Sequence, residues 1–148
     1  MQKIYITLFI TLSILSCKDK RNCTNADLFD KITVSGFGNL TKKSISFFRL
    51  DNQIEKIKIK SIEHQNNKNI SGYGESTIVL KQPLFSQENY RLTIDDEKYD
   101  ITDIKIKSEV RMIGMREDSV CIVDSFKLNE KIAKQIYYTS TITFHKPN

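Results

Sequence analysis

The feature that most restricts how this chain can fold is a two-residue alternation of apolar and polar side chains, which recurs along the sequence and never gives way to a sustained helical period. Its cleanest instance runs from Ile54 to Ile62, with Ile57 and Ile59 on one side of an extended chain and Lys56, Lys58 and Lys60 on the other. Successive side chains of a strand point to opposite faces, so this segment predicts one half-buried antiparallel strand with a lysine face in water. The same pattern predicts strands at residues 32–37, 44–50, 76–80, 90–94, 99–106 continuing into 110–115, 120–128 and 136–144. Turn-forming residues separate them: Gly38-Asn39, the polar stretch from His64 to Gly74, Asp95-Asp96-Glu97-Lys98, Arg116-Glu117-Asp118 and Asn129-Glu130. The apolar phase slips between Ile101 and Ile104, which predicts a bulge at Thr102-Asp103.

About eight strands with turns between them and no helix point to an all-β fold, a single antiparallel β-sandwich. The segment from Leu84 to Leu92, with Tyr90 entering a strand, resembles the corner of fibronectin-type and immunoglobulin-like sandwiches, in which a tyrosine hydroxyl bonds the backbone just upstream. An ordinary strand tyrosine packing its ring accounts for the residue equally well. The absence of Trp and the cysteine spacing argue against an antibody-type domain.

Residues 1–16 read as an export signal: Lys3 is their only charge, Ile4 to Leu15 is apolar, and the small Ser16 closes the segment. An apolar run of about 12 residues is shorter than the roughly 20 that a spanning helix needs, and Lys18, Asp19, Lys20 and Arg21 follow it. Ile14-Leu15-Ser16-Cys17 resembles a lipobox, the site at which bacterial lipoproteins are cleaved before a cysteine that carries lipid. Lys18-Asp19-Lys20 is similar to the charged tag after that cysteine in lipoproteins of Bacteroidetes-type bacteria. The resemblance implies a lipid on Cys17, a tether over residues 17–30, a folded domain over 31–148, and attachment to a membrane, the outer membrane of a cell envelope.

With Cys17 assigned to lipid, Cys23 and Cys121 remain as an even pair in an oxidising compartment, where a disulfide persists. A buried free thiol at Cys121, with Cys23 in a flexible tether, fits the same count.

Few residues here carry chemistry. The two histidines, His64 and His145, fall in a polar loop and near the end of the chain, and Cys121 with His64 is the one conceivable nucleophilic pair. No set of Cys and His suits zinc, so no metal or other cofactor is expected. Asp95, Asp96, Glu97, Asp100 and Asp103 lack the spacing of a calcium loop and read as a solvated hairpin tip. The formal net charge of +5 is dispersed among acids, which gives no nucleic-acid surface.

Two positions are candidates for other roles. Tyr73, between Gly72 and Gly74, is an aromatic free to meet a ligand. Asp118-Ser119-Val120 resembles the Asp-Ser/Thr-apolar site at which Bacteroidetes-type bacteria attach glycans, making Ser119 a candidate O-glycosylation site. The expected function is a non-enzymatic, membrane-anchored module that binds protein or glycan. The alternative is a small inhibitor or immunity-type protein, and an enzyme is the least expected of the three.

Overall fold

The computed structural model describes Cys23 and residues 29–51, 54–65, 74–134 and 139–147. Cys17, the leader before it and Tyr73 lie outside the described residues. Among those described the fold is all β, with ten strands rather than about eight. They are β1 Phe29–Ser35, β2 Ile45–Arg49, β3 Glu55–Ile57, β4 Ile59–Gln65, β5 Glu75–Leu84, β6 Tyr90–Ile94, β7 Glu97–Ile113, β8 Arg116–Leu128, β9 Lys131–Lys134 and β10 Ile142–His145. They form a four-stranded sheet in the order β10-β1-β5-β4 and a six-stranded sheet in the order β3-β2-β6-β7-β8-β9. The first strand begins at Phe29, two residues before the boundary expected from sequence.

Each sheet gives one face to a shared core, as the alternation requires. Ile32, Val34, Ile78, Leu80, Ile142 and Phe144 come from the smaller sheet, and Phe47, Ile57, Leu92, Ile101 and Phe126 are among those from the larger. Fully burying one such side chain contributes about 1.5–3 kcal/mol, so this interior is the main source of stability. Aromatic rings add edge and stacked contacts, Phe37 on Tyr99 at 5.3 Å and Phe47 on Tyr90 at 5.5 Å between centroids.

Three features depart from the expected antiparallel pattern. The segment expected as one strand over 54–62 is two strands in different sheets: β3 pairs with β2, β4 pairs with β5, and the chain crosses between the layers at Lys58. The Lys58 carbonyl accepts the Lys81 N–H at 2.8 Å, which fixes the crossing. The last strand, β10, lies parallel to β1, with Ile32 opposite Ile142 and Val34 opposite Phe144. The turn expected at Arg116-Glu117-Asp118 is instead at Gly114-Met115, and those three charged residues open β8. Gly114 has φ +64, a conformation in which a side chain would be strained.

Other expectations match. The bulge is present: β7 and β8 lose register between Thr102 and Lys105, and Asp103 takes a φ of 51°. Of the two readings of Tyr90, the structure has the corner contact: its hydroxyl accepts the Phe85 N–H at 2.7 Å. Cys23 and Cys121 are joined by a disulfide across a sequence separation of 98.

Candidate functional site

The crossing at Lys58 makes residues 55–65 the outer strand of both sheets at once, and a groove opens along that edge. One part, about 290 Å³, is lined by Lys42, Ile45, Ser46, Lys56, Ile57, Lys58, Ile59 and Lys81. A second, about 660 Å³, shares Lys81 and adds Asp30, Lys60 and Pro83. Lysines on edge strands discourage pairing with other chains, and that alone accounts for Lys56, Lys58 and Lys60. It does not account for Lys42 and Lys81, which reach the same groove from the turn before β2 and from β5. Lys42 Nζ donates to the Lys60 carbonyl at 2.5 Å, linking the β2 side of the groove to β4.

None of these five lysines has an ion-pair partner among the described residues, and Asp30 is the single carboxylate lining either part. Several cations over an apolar floor suit an extended anionic ligand. Their mutual repulsion is relieved when carboxylates or phosphates arrive.

The second exposed feature is a ribbon. Among the described residues, β6 pairs with β7 only over Glu97–Ile101 and β9 with β8 only over Ser125–Leu128. From there β7 and β8 run on together to Ile113 and Arg116. The lower part of the ribbon packs on the core through Ile104, Ile106 and Val123. Its outer part does not: Val110, Met112, Ile113 and Met115 are 52, 66, 54 and 99% exposed. Cys121, opposite Ser108, carries the disulfide to Cys23 at the root of this outer part.

A third constellation was not anticipated from sequence. Both histidines lie in strands and not in mobile positions, and each faces a serine: His145 Nδ1 meets Ser35 Oγ, and His64 Nδ1 lies 3.0 Å from Ser76 Oγ. Ser35 is also directly opposite Glu75, so Glu75, Ser35 and His145 form one cross-strand row. An acyl-transfer triad needs its histidine oriented through the second ring nitrogen by a third group. The two contacts tie β1 to β10 and β4 to β5. Cys121, in its disulfide, is no partner for His64.

The acidic residues near the β6–β7 hairpin are spent individually. Arg91 grips Asp100 through two bonds of 2.6 and 2.8 Å, which holds the Asp100 carboxyl below its ordinary range. Lys127 reaches Asp103 at 3.4 Å. Glu97 accepts from the Tyr99 hydroxyl and from Lys146, and in that order they lower its carboxyl pKa. Asp95 and Asp96 form the hairpin turn, with φ of 47° and 70°. No group of three or more His, Cys, Asp or Glu among the described residues could hold a metal ion.

Ser119 is not on a turn. It lies within β8 opposite Val110, half-buried, with its hydroxyl 2.6 Å from that of Ser108. A glycosyltransferase would have to break that contact and reach a paired strand.

Comparison with protein-family models, with curated proteins and with solved structures gives no match. No helix among the described residues is long and apolar enough to cross a membrane.

Proposed function

We propose that this chain is a cell-envelope lipoprotein, anchored through lipid on Cys17, that acts as a non-enzymatic binding module for an acidic partner, either a glycan or an acidic protein segment. The observation that carries the binding part is the convergence of Lys42, Lys56, Lys58, Lys60 and Lys81 from separate elements onto one groove at the sandwich edge. Partners that neutralise such a cluster gain most of their affinity from charge, so binding weakens as salt rises. The anchoring part is supported by the leader and by Ile14-Leu15-Ser16-Cys17.

Two measurements test the two parts separately. Binding of an acidic polysaccharide such as polygalacturonate should be salt-sensitive and should be lost in Lys56→Glu/Lys58→Glu/Lys81→Glu. All three side chains are exposed, so the variant keeps its fold. Equal binding by the charge-reversed protein rules the groove out. Cys17→Ala should abolish labelling by a lipid precursor and release the protein from membranes, and retention of both refutes the anchor.

A further inference from the structure

The outer part of the β7–β8 ribbon ends in an apolar cap. Val110 and Met112 lie on the face that carries Ser108 and Cys121, Ile113 lies on the opposite face, and Met115 stands in the turn itself. The Ile113 face is otherwise charged, with Glu109, Arg111, Arg116 and Asp118, whereas Val110 and Met112 on the other face and Met115 at the tip supply exposed apolar surface. Charged residues stand level with the cap: across the ribbon Arg116 is opposite Ile113, Glu117 opposite Met112 and Asp118 opposite Arg111. An apolar tip bordered by arginines suits a shallow entry into a bilayer interface, with Met115 and its neighbours among the acyl chains and the guanidinium groups at the level of the phosphates.

The disulfide gives the cap a reason to meet a bilayer rather than some other apolar surface. Cys23 is six residues after Cys17, so if Cys17 carries lipid the root of the ribbon is held within about 20 Å of the membrane. Cys121 is in turn six residues from Met115, which in strand geometry is again about 20 Å. The leash thus reaches at most about as far as the ribbon is long, so the cap meets the membrane surface when the ribbon lies along the leash. Without the disulfide the leash would run on to Phe29 and the root would not be tied to it.

We infer that the cap formed by Val110, Met112, Ile113 and Met115 inserts into the interface of the bilayer to which Cys17 is anchored, giving the protein a second membrane contact and a fixed orientation. This inference rests on the anchor reading and is independent of the lysine groove.

The chain contains no Trp, so a single introduced indole reports on its own surroundings. Lipidated full-length Met115→Trp would be reconstituted into vesicles of phosphatidylethanolamine and phosphatidylglycerol, with and without lipids brominated on the acyl chains. Lys98→Trp, exposed near the other end of β7, is the reference. The expected result is a blue-shifted Met115→Trp emission that loses most of its intensity to the brominated lipids, while Lys98→Trp keeps an aqueous, unquenched emission. A chain anchored by lipid whose Met115→Trp emission stays aqueous overturns the inference and leaves the anchor standing. A blue shift without bromine quenching, the sign of a protein covering the cap, overturns it as well. A chain with no lipid on Cys17 that does not associate with the vesicles overturns both readings.

Discussion

The phenolic oxygen of Tyr90 takes the backbone N–H of Phe85 at 2.7 Å and donates its own proton to the Glu88 carboxylate at 2.6 Å. Glu88 is also 2.8 Å from Arg49 Nε, but that N–H is not directed along the contact, which is therefore one of charge and not a hydrogen bond. Arg49 lies over the Phe85 ring as well, so the corner joins β2 to the loop before β6. Tyr90→Phe keeps the ring and removes only the hydroxyl, leaving the Phe85 N–H without its partner. The expected cost is about 1–3 kcal/mol, read as a lower urea midpoint with an unchanged m-value.

Burial, and then the hydrogen bond to Glu88, push the ionisation of Tyr90 well above the ordinary 10.0, and burial followed by the bond to Glu97 does the same for Tyr99. Their neutral forms are thus favoured in the folded state. The stability linked to them is complete below pH 10 and falls as pH rises above it, because the unfolded chain then releases protons that the folded one keeps. Denaturant titrations between pH 9 and about 11.5 should show this decline, and it should be shallower in Tyr90→Phe. Equal slopes in the two proteins would remove Tyr90 from the linkage.

Arg91 and Asp100 face each other across β6 and β7, each about one-third exposed. Solvent screening limits such a pair to about 1 kcal/mol or less, which a double-mutant cycle with Arg91→Ala and Asp100→Ala should return. Its contribution is present above the ordinary carboxylate range, since the hydrogen bond from Arg91 lowers the Asp100 pKa. It is lost as pH falls through that lowered value.

The Cys23–Cys121 bridge closes a loop across a separation of 98 residues. In the chain-entropy description a loop of that size stabilises by about 4–5 kcal/mol. Reduction, or Cys23→Ser with Cys121→Ser, should lower stability by an amount of that order and raise the m-value, because the reduced chain unfolds to a more open ensemble. A midpoint insensitive to reductant would mean that the bridge adds nothing to the fold.

How far the sequence could be read depended on which physical term was local. Alternation is local, so the strands around Ile32, Phe47, Leu92 and Phe126 and the slip at Thr102-Asp103 were legible. The crossing at Lys58 was not, because Ile57 and Ile59 both keep the period of two while serving different sheets. The parallel seating of β10 beside β1 depends on residues more than 100 positions apart, to which no local pattern responds. The β7–β8 turn was misassigned for a more informative reason. Arg116-Glu117-Asp118 has the composition of a turn and Met112 to Met115 that of a strand, and the molecule reverses these roles by putting apolar residues at an exposed tip. The lysine groove was half visible: Lys56, Lys58 and Lys60 stood out as a solvated face, but nothing local brought Lys42 and Lys81 to join them.

The placement of β10 also sets an order of events in the life of the chain. Ile32 and Val34 are covered on one flank only by Ile142 and Phe144, more than 100 positions further along the chain. The first strand acquires its second neighbour only when that distant segment arrives, and the long separation makes this closure slow.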